Sequence, residues 1–127
     1  MNEQYFIELL QKIYRCKQPF TLVLTHRRYK TRLGTYNISN RHIRVHDKDC
    51  TLLDCCYIAI HEYAHHLMYT EFDGDEYKPH GREFFFVYNV LLSIAIQWRL
   101  LPDNLMDRRM YGRGDVAGMV MMKMLKR

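Results

Sequence analysis

His61, Glu62 and His65 are the residues whose types and spacing most clearly point to chemistry: two imidazoles four positions apart, with a carboxylate beside the first. On a helix, residues four apart share a face. Both rings can then reach one cation, while Glu62 lies toward the side where a metal-bound water would sit. The chemistry this implies is hydrolysis by a metal-activated water, with Glu62 as general base. With seven histidines in 127 residues, chance alone yields H-E-x-x-H in roughly one such chain in fifty, so the surroundings must carry the assignment.

A catalytic zinc takes three protein ligands and keeps one position open. His80 is the best third ligand, because it follows a polar stretch and opens the next helical segment as His80-Gly81-Arg82-Glu83-Phe84. Glu71 and Glu83 are its rivals. Met68 stands where a chain-turning Gly would be needed for Glu71 to serve, and Glu83 reads better as a supporting or surface residue. For the group that stabilises a developing oxyanion, Tyr63, Arg82, Tyr111 and the other histidines are available, and no spacing selects among them.

These side chains need rigid elements to hold them. Residues 51–68 contain no Pro or Gly and place apolar residues at helical intervals, with Asp49 or Thr51 able to cap the start. Burying His-Glu-His on such a helix is costly unless something occupies the three polar groups. Thr70 to Pro79 reads as a loop that lets two helices lie antiparallel and returns His80 to the first. Residues 84–98 form the most apolar stretch, too short for a membrane span, with Asn89, Ser93 and Gln97 marking one polar stripe on an otherwise buried helix. Upstream, Glu3 to Tyr14 has helical periodicity, and residues 20–25, 31–38 and 42–46 read as strands. The expected fold is α+β: a small, mainly antiparallel three-stranded sheet packed on the H-E-x-x-H helix and the apolar helix after it. Ile43 to His46 is expected at the edge, where an extended peptide can pair.

The string His61-Glu62-Tyr63-Ala64-His65, followed after 14 residues by His80-Gly81-Arg82-Glu83-Phe84, resembles the SprT-like zinc metallopeptidases and the related YgjP-like (WLM-type) group. In that group a helix bearing the motif is followed by a third His in a context like H-[GS]-x-x-F. Arg32 to Tyr36 and Ile43 to His46 are similar to the two short strands that precede the active helix there, so the resemblance covers about residues 20 to 100. It implies a zincin-like domain, Zn²⁺ held by His61, His65 and His80, Glu62 as general base, and a peptide or protein substrate. The chain departs from some relatives in its four cysteines, which contain no C-x-x-C pair, so no zinc ribbon is expected. The link of the family to DNA-bound protein substrates does not follow from the motif alone.

Length and a 48% apolar composition fit one domain over residues 1–127. Residues 103–127 form a C-terminal extension: polar to Asp115, then Met-rich from Val116 to Leu125. That segment is expected to form a terminal helix that packs on the body, and covering the active site is a further role it can play. The net charge of +5 comes from clusters such as Arg27-Arg28-Tyr29-Lys30. A solvated basic face is the simpler reading, with weak nucleic-acid association through these patches as the other. The acidic run Asp73 to Glu76 would repel phosphate near the site. Met1 to Tyr5 lacks the basic and apolar regions of a signal peptide, so the expectation is a cytoplasmic protein with reduced cysteines and no membrane anchor. Cys55 and Cys56 read as small packing groups. His26, His42, His46 and His66 read as surface or hydrogen-bonded histidines.

The sequence thus points to a zinc-dependent metallopeptidase. Its alternatives are a basic nucleic-acid-associated binding module whose zinc is structural or vestigial, and a zinc hydrolase acting on a non-peptide amide or ester. No oligomeric state follows from it.

Overall fold

Thr51 starts the helix against which the rest of the protein packs. Its hydroxyl accepts from the Asp54 N–H while the Asp54 carboxylate accepts from the Thr51 N–H, a capping box that satisfies two of the free amides at a helix start. The helix it opens, α2 (Leu52–Glu71), follows α1 (Glu3–Ile13) and precedes α3 (Arg82–Gln97) in a computed structural model that describes residues 1–101. The expected terminal helix and cover at 103–127, and Tyr111, lie outside the described residues. At 20 residues, α2 is about 30 Å long. It is buried almost continuously from Cys55 to Met68, because the sheet and both other helices pack around it.

Three strands, β1 (Thr21–Leu24), β2 (Gly34–Asn37) and β3 (His42–Val45), form one sheet in the order β1-β3-β2. β1 runs parallel to β3 and β2 antiparallel to it, so the sheet is mixed. The chain crosses from β1 to the far edge and returns to the middle through a turn in which the Asn37 side chain accepts from Ser39 and Asn40 and Arg41 takes a left-handed φ of 54°.

The α+β class and the strand assignments agree with the sequence. The edge does not: Ile43 and Val45 are fully buried in the central strand, and the edges are β1 and β2, of which β2 packs on α2. The physical reason is burial. Ile43 and Val45 give β3 an apolar inward face, whereas Gly-Thr-Tyr-Asn suits a half-exposed edge.

The link from α2 to α3 turns at Asp73, whose φ of 54° is left-handed, and enters a short 3-10 turn (Gly74–Glu76). A Cβ on Gly74 would sit 2.8 Å from the Met68 carbonyl carbon, so only glycine lets the loop fold this closely over the end of α2. α1 closes the other side of the core with Phe6, Leu9, Leu10 and Ile13.

The face that α3 turns outward differs from its sequence pattern. Asn89 and Ser93 are buried, with the Ser93 hydroxyl donating to the Asn89 carbonyl, while Phe86 is 63% exposed. Among the described residues, no helix is long and apolar enough to cross a membrane.

Candidate metal centre

His61 and His65 stand one turn apart on α2, and His80 reaches them from the residue pair that precedes α3. Their Nε2 atoms converge: His80 lies 3.3 Å from His61 and 3.0 Å from His65. One ligand atom from each of the three falls within 4.8 Å of the others. A cation bonded tetrahedrally to nitrogen at about 2.0–2.1 Å sets its ligands about 3.3 Å apart, close to the two separations that His80 makes with His61 and His65. All three residues expected from the sequence are therefore brought together as a group that can hold a metal ion.

Burial keeps His61 and His65 neutral, the form that ligates. Desolvation, helped by the neighbouring imidazole of His80, lowers the His61 pKa to about 4. Desolvation, with His61 and His80 adding to it, lowers that of His65 to about 3. Loss of water contact also depresses His80.

Glu62 is 6% exposed, and burial pushes its carboxyl up to about 8. Its Oε2 lies 4.0 Å from His61 Nε2, beside the point where the three nitrogens meet. A positive charge placed there would favour the ionised carboxylate.

Two aromatic residues of α3 hold the imidazoles: Phe84, which closes the His80-Gly81-Arg82-Glu83-Phe84 string, and Tyr88, which no motif in the sequence marks. Phe84 stacks on His65 with ring centroids 4.2 Å apart, and Phe84 and Tyr88 both meet His61 edge-on, at 4.9 and 5.2 Å. The signal was their spacing: four residues apart, they share the α3 face that follows directly from His80.

The other wall is β2. Its Gly34 packs onto the turn of α2 that carries Ile58 and Glu62, so closely that an added Cβ would lie 2.7 Å from Ile58 Cγ2 and 3.3 Å from Glu62 Cγ. Two residues along, the Tyr36 hydroxyl lies 2.8 Å from Nδ1 of the fully buried His66, whose Nε2 lies 2.9 Å from the Gln18 carbonyl. A carbonyl only accepts, so Nε2 carries the proton and the Tyr36 hydroxyl donates to Nδ1. Burial pushes the Tyr36 pKa up to about 12. Between β2, α2 and the His80 loop lies an open cleft of about 540 Å³, lined among others by Arg32, Tyr57, Tyr69 and Pro79.

The remaining candidates lie elsewhere. Glu71 accepts from the Tyr14 hydroxyl at 2.6 Å and the Lys17 N–H at 3.0 Å. Glu83 faces the opposite side of α3, beside Leu67 and Met68. Tyr63 is fully buried and its hydroxyl donates to the Tyr14 carbonyl, which removes it as a donor to the cleft. The Arg82 side chain is 94% exposed, on the same side as Glu83.

His26 is paired with Asp47, His42 with Thr21 and His46 with Thr25, as bonded histidines should be. All four cysteines are unpaired; burial pushes Cys55 up to about 12 and Cys56 to about 11, which leaves them as packing groups.

Neither a curated protein nor a solved structure matches the chain. A model of the SprT-like family matches residues 2–97. That span takes in the sheet, all three helices and every residue of the histidine cluster, and the protein belongs to the SprT-like family.

Proposed function

We propose that the protein is a zinc-dependent metallopeptidase in which His61, His65 and His80 hold Zn²⁺ and Glu62 is the general base. The observation that carries this reading is the convergence of three neutral Nε2 atoms with a buried carboxyl 4.0 Å from the first of them. When bound, zinc lowers the pKa of a coordinated water to about 7 and polarises a carbonyl. Glu62 takes the proton of that water and returns it to the leaving amine. Phe84 and Tyr88 fix the planes of the imidazoles, so the ligands need little reorganisation.

The unpaired side of β2 supports a peptide or protein as substrate. An extended chain can add to that edge by main-chain hydrogen bonds, in the cleft that also exposes His61 and Glu62. Exposed Arg27, Arg28 and Lys30 support a weak, salt-dependent contact with nucleic acid outside this cleft. Unpaired Cys55 and Cys56 in the core fit a reducing compartment such as the cytoplasm.

Glu62→Gln is the decisive test. The variant should bind one zinc per chain and lose hydrolysis of an unfolded protein substrate by at least about 100-fold, the low end of what a general base contributes. A variant that keeps both zinc and hydrolysis would overturn the assignment.

A further inference from the structure

The outward face of α3 is apolar where a solvent-facing helix should be polar. Together with the end of α2 it forms a groove lined by Leu67, Phe72, Phe86, Val87, Val90 and Ile94, with Phe72 44% and Phe86 63% exposed. At its far end sits Glu83, whose Oε2 is buried without a hydrogen bond; Arg82 Nε stands 3.8 Å away. A greasy trough ending in an under-satisfied carboxylate suits an apolar segment that carries one cation.

The chain itself contains such a segment. Ala117, Val120, Met121, Met124 and Leu125 follow the i, i+3, i+4, i+7, i+8 spacing of an apolar helical stripe, and Lys123 falls at its margin. The described residues end at the right place to deliver it. After α3 the chain turns, with the Leu100 and Leu101 N–H groups donating to the Ala95 carbonyl, so it departs at the C-terminal end of α3, the end at which Ile94 closes the groove. From Ile94 to Glu83 is eleven helical residues, about 16 Å, while Val116 to Leu125 would span about 13 Å as a helix. A segment entering at Ile94 and running antiparallel to α3 therefore carries Lys123 about 10 Å toward Glu83, and its extended side chain spans the remainder. The 14 residues from Pro102 to Asp115 reach up to about 46 Å, far more than the path needs. A tether of this kind gives a local concentration of about a millimolar, so modest affinity suffices.

We propose that residues 116–125 occupy this groove in cis, with their methionines against Phe86 and Val90 and Lys123 beside Glu83. Methionine is suited to the role, since its flexible thioether fills irregular apolar gaps and contacts aromatic edges. Seated there, the segment also touches Tyr77 and Arg82, which lie on either side of His80 in sequence. The inference rests on the groove and the chain path, independently of any hydrolytic activity.

The test is NMR on the full chain with ¹³C-methyl methionine. Cross-peaks are expected from the methyls of Met121 and Met124 to the Phe86 ring and the Val90 methyls, unchanged on dilution. They should be absent between chains in an isotope-filtered mixture of labelled and unlabelled protein. Phe86→Lys should abolish them and return those methyls to coil positions. Since Phe86 is mostly exposed, that variant should stay folded and keep its metal-binding stoichiometry. Coil positions in the parent chain would overturn the proposal, as would cross-peaks seen only between chains, which would make a second copy the occupant.

Discussion

Gly34→Ala separates the role of the β2 strand from that of the metal ligands. The new methyl would stand 2.7 Å from the Arg44 carbonyl oxygen, 2.7 Å from Ile58 Cγ2 and 3.3 Å from Glu62 Cγ. Contacts of this kind are comfortable at about 3.5 Å, so something must retreat by roughly 0.8 Å. The Arg44 oxygen belongs to the backbone of the central strand and cannot swing aside. The movement must therefore fall on β2 itself or on the turn of α2 that bears Glu62. Overpacking of this size costs about 1–3 kcal/mol, at roughly 3–6 °C of Tm per kcal/mol for a domain of this size.

A displacement near 1 Å at a reacting group lowers rates by up to about 100-fold. The expected result is a lower Tm by circular dichroism, a kcat/KM for peptide hydrolysis down about 10- to 100-fold, and unchanged zinc content, because the atoms nearest the added methyl belong to Arg44, Ile58 and Glu62 and not to the three histidines. If the variant is as stable as the parent within about 0.5 kcal/mol, the packing argument fails. If stability falls while kcat/KM holds, β2 does not set the position of Glu62.

Other expectations concern single contacts. His80→Ala removes one of three convergent nitrogens; since even the partners behind metal ligands are worth 10- to 100-fold, zinc affinity should fall by more than about 100-fold in a competition titration with a chelating dye. Tyr36→Phe leaves buried His66 Nδ1 without its donor and should cost about 1–3 kcal/mol in urea denaturation; no loss would mean that the bond is not formed in solution. His46 is held below its ordinary pKa chiefly by burial, with Arg44 and Arg32 adding to the effect and Asp47 opposing it. Its folded pKa lies below the unfolded one, so its contribution to stability is complete above the unfolded value near 6.5 and is lost as pH falls toward the folded value. His46→Asn should therefore make the stability profile shallower between pH 7 and 5, where other depressed histidines such as His66 also contribute, and an unchanged slope there would rule out a contribution from His46.

The metal cluster was legible in the sequence because most of it is local. An i, i+4 pair with an adjacent carboxylate declares its geometry on any helix, and His80 is marked by its place between a polar loop and an apolar run. The order of the sheet was not legible in the same way. Strands of four residues carry little information about their neighbours, and the parallel β1–β3 pairing depends on where the chain between them crosses.

Nor was the outward face of α3. Ser93 and Asn89 look like a solvent stripe, yet Ser93 donates to a carbonyl of its own helix, which reduces the cost of burying it. The demand on Gly34 arises from a strand and a helix 24 to 28 residues apart in sequence, meeting at Ile58 and Glu62. No local pattern encodes such a meeting.

The spacing between His65 and His80 has a mechanical side. A metal held by both closes a ring of 15 residues through the end of α2, the Gly74 turn and the start of α3. A covalent bridge across a ring of that size removes about 3 kcal/mol of freedom from the unfolded chain, and a kinetically tight coordinate link acts in the same sense. The ion is then a rivet as well as a reagent. A chelator that extracts it would unfasten the α2–α3 corner along with the chemistry, and the protein would lose heat resistance in proportion to the free energy with which it had held the metal.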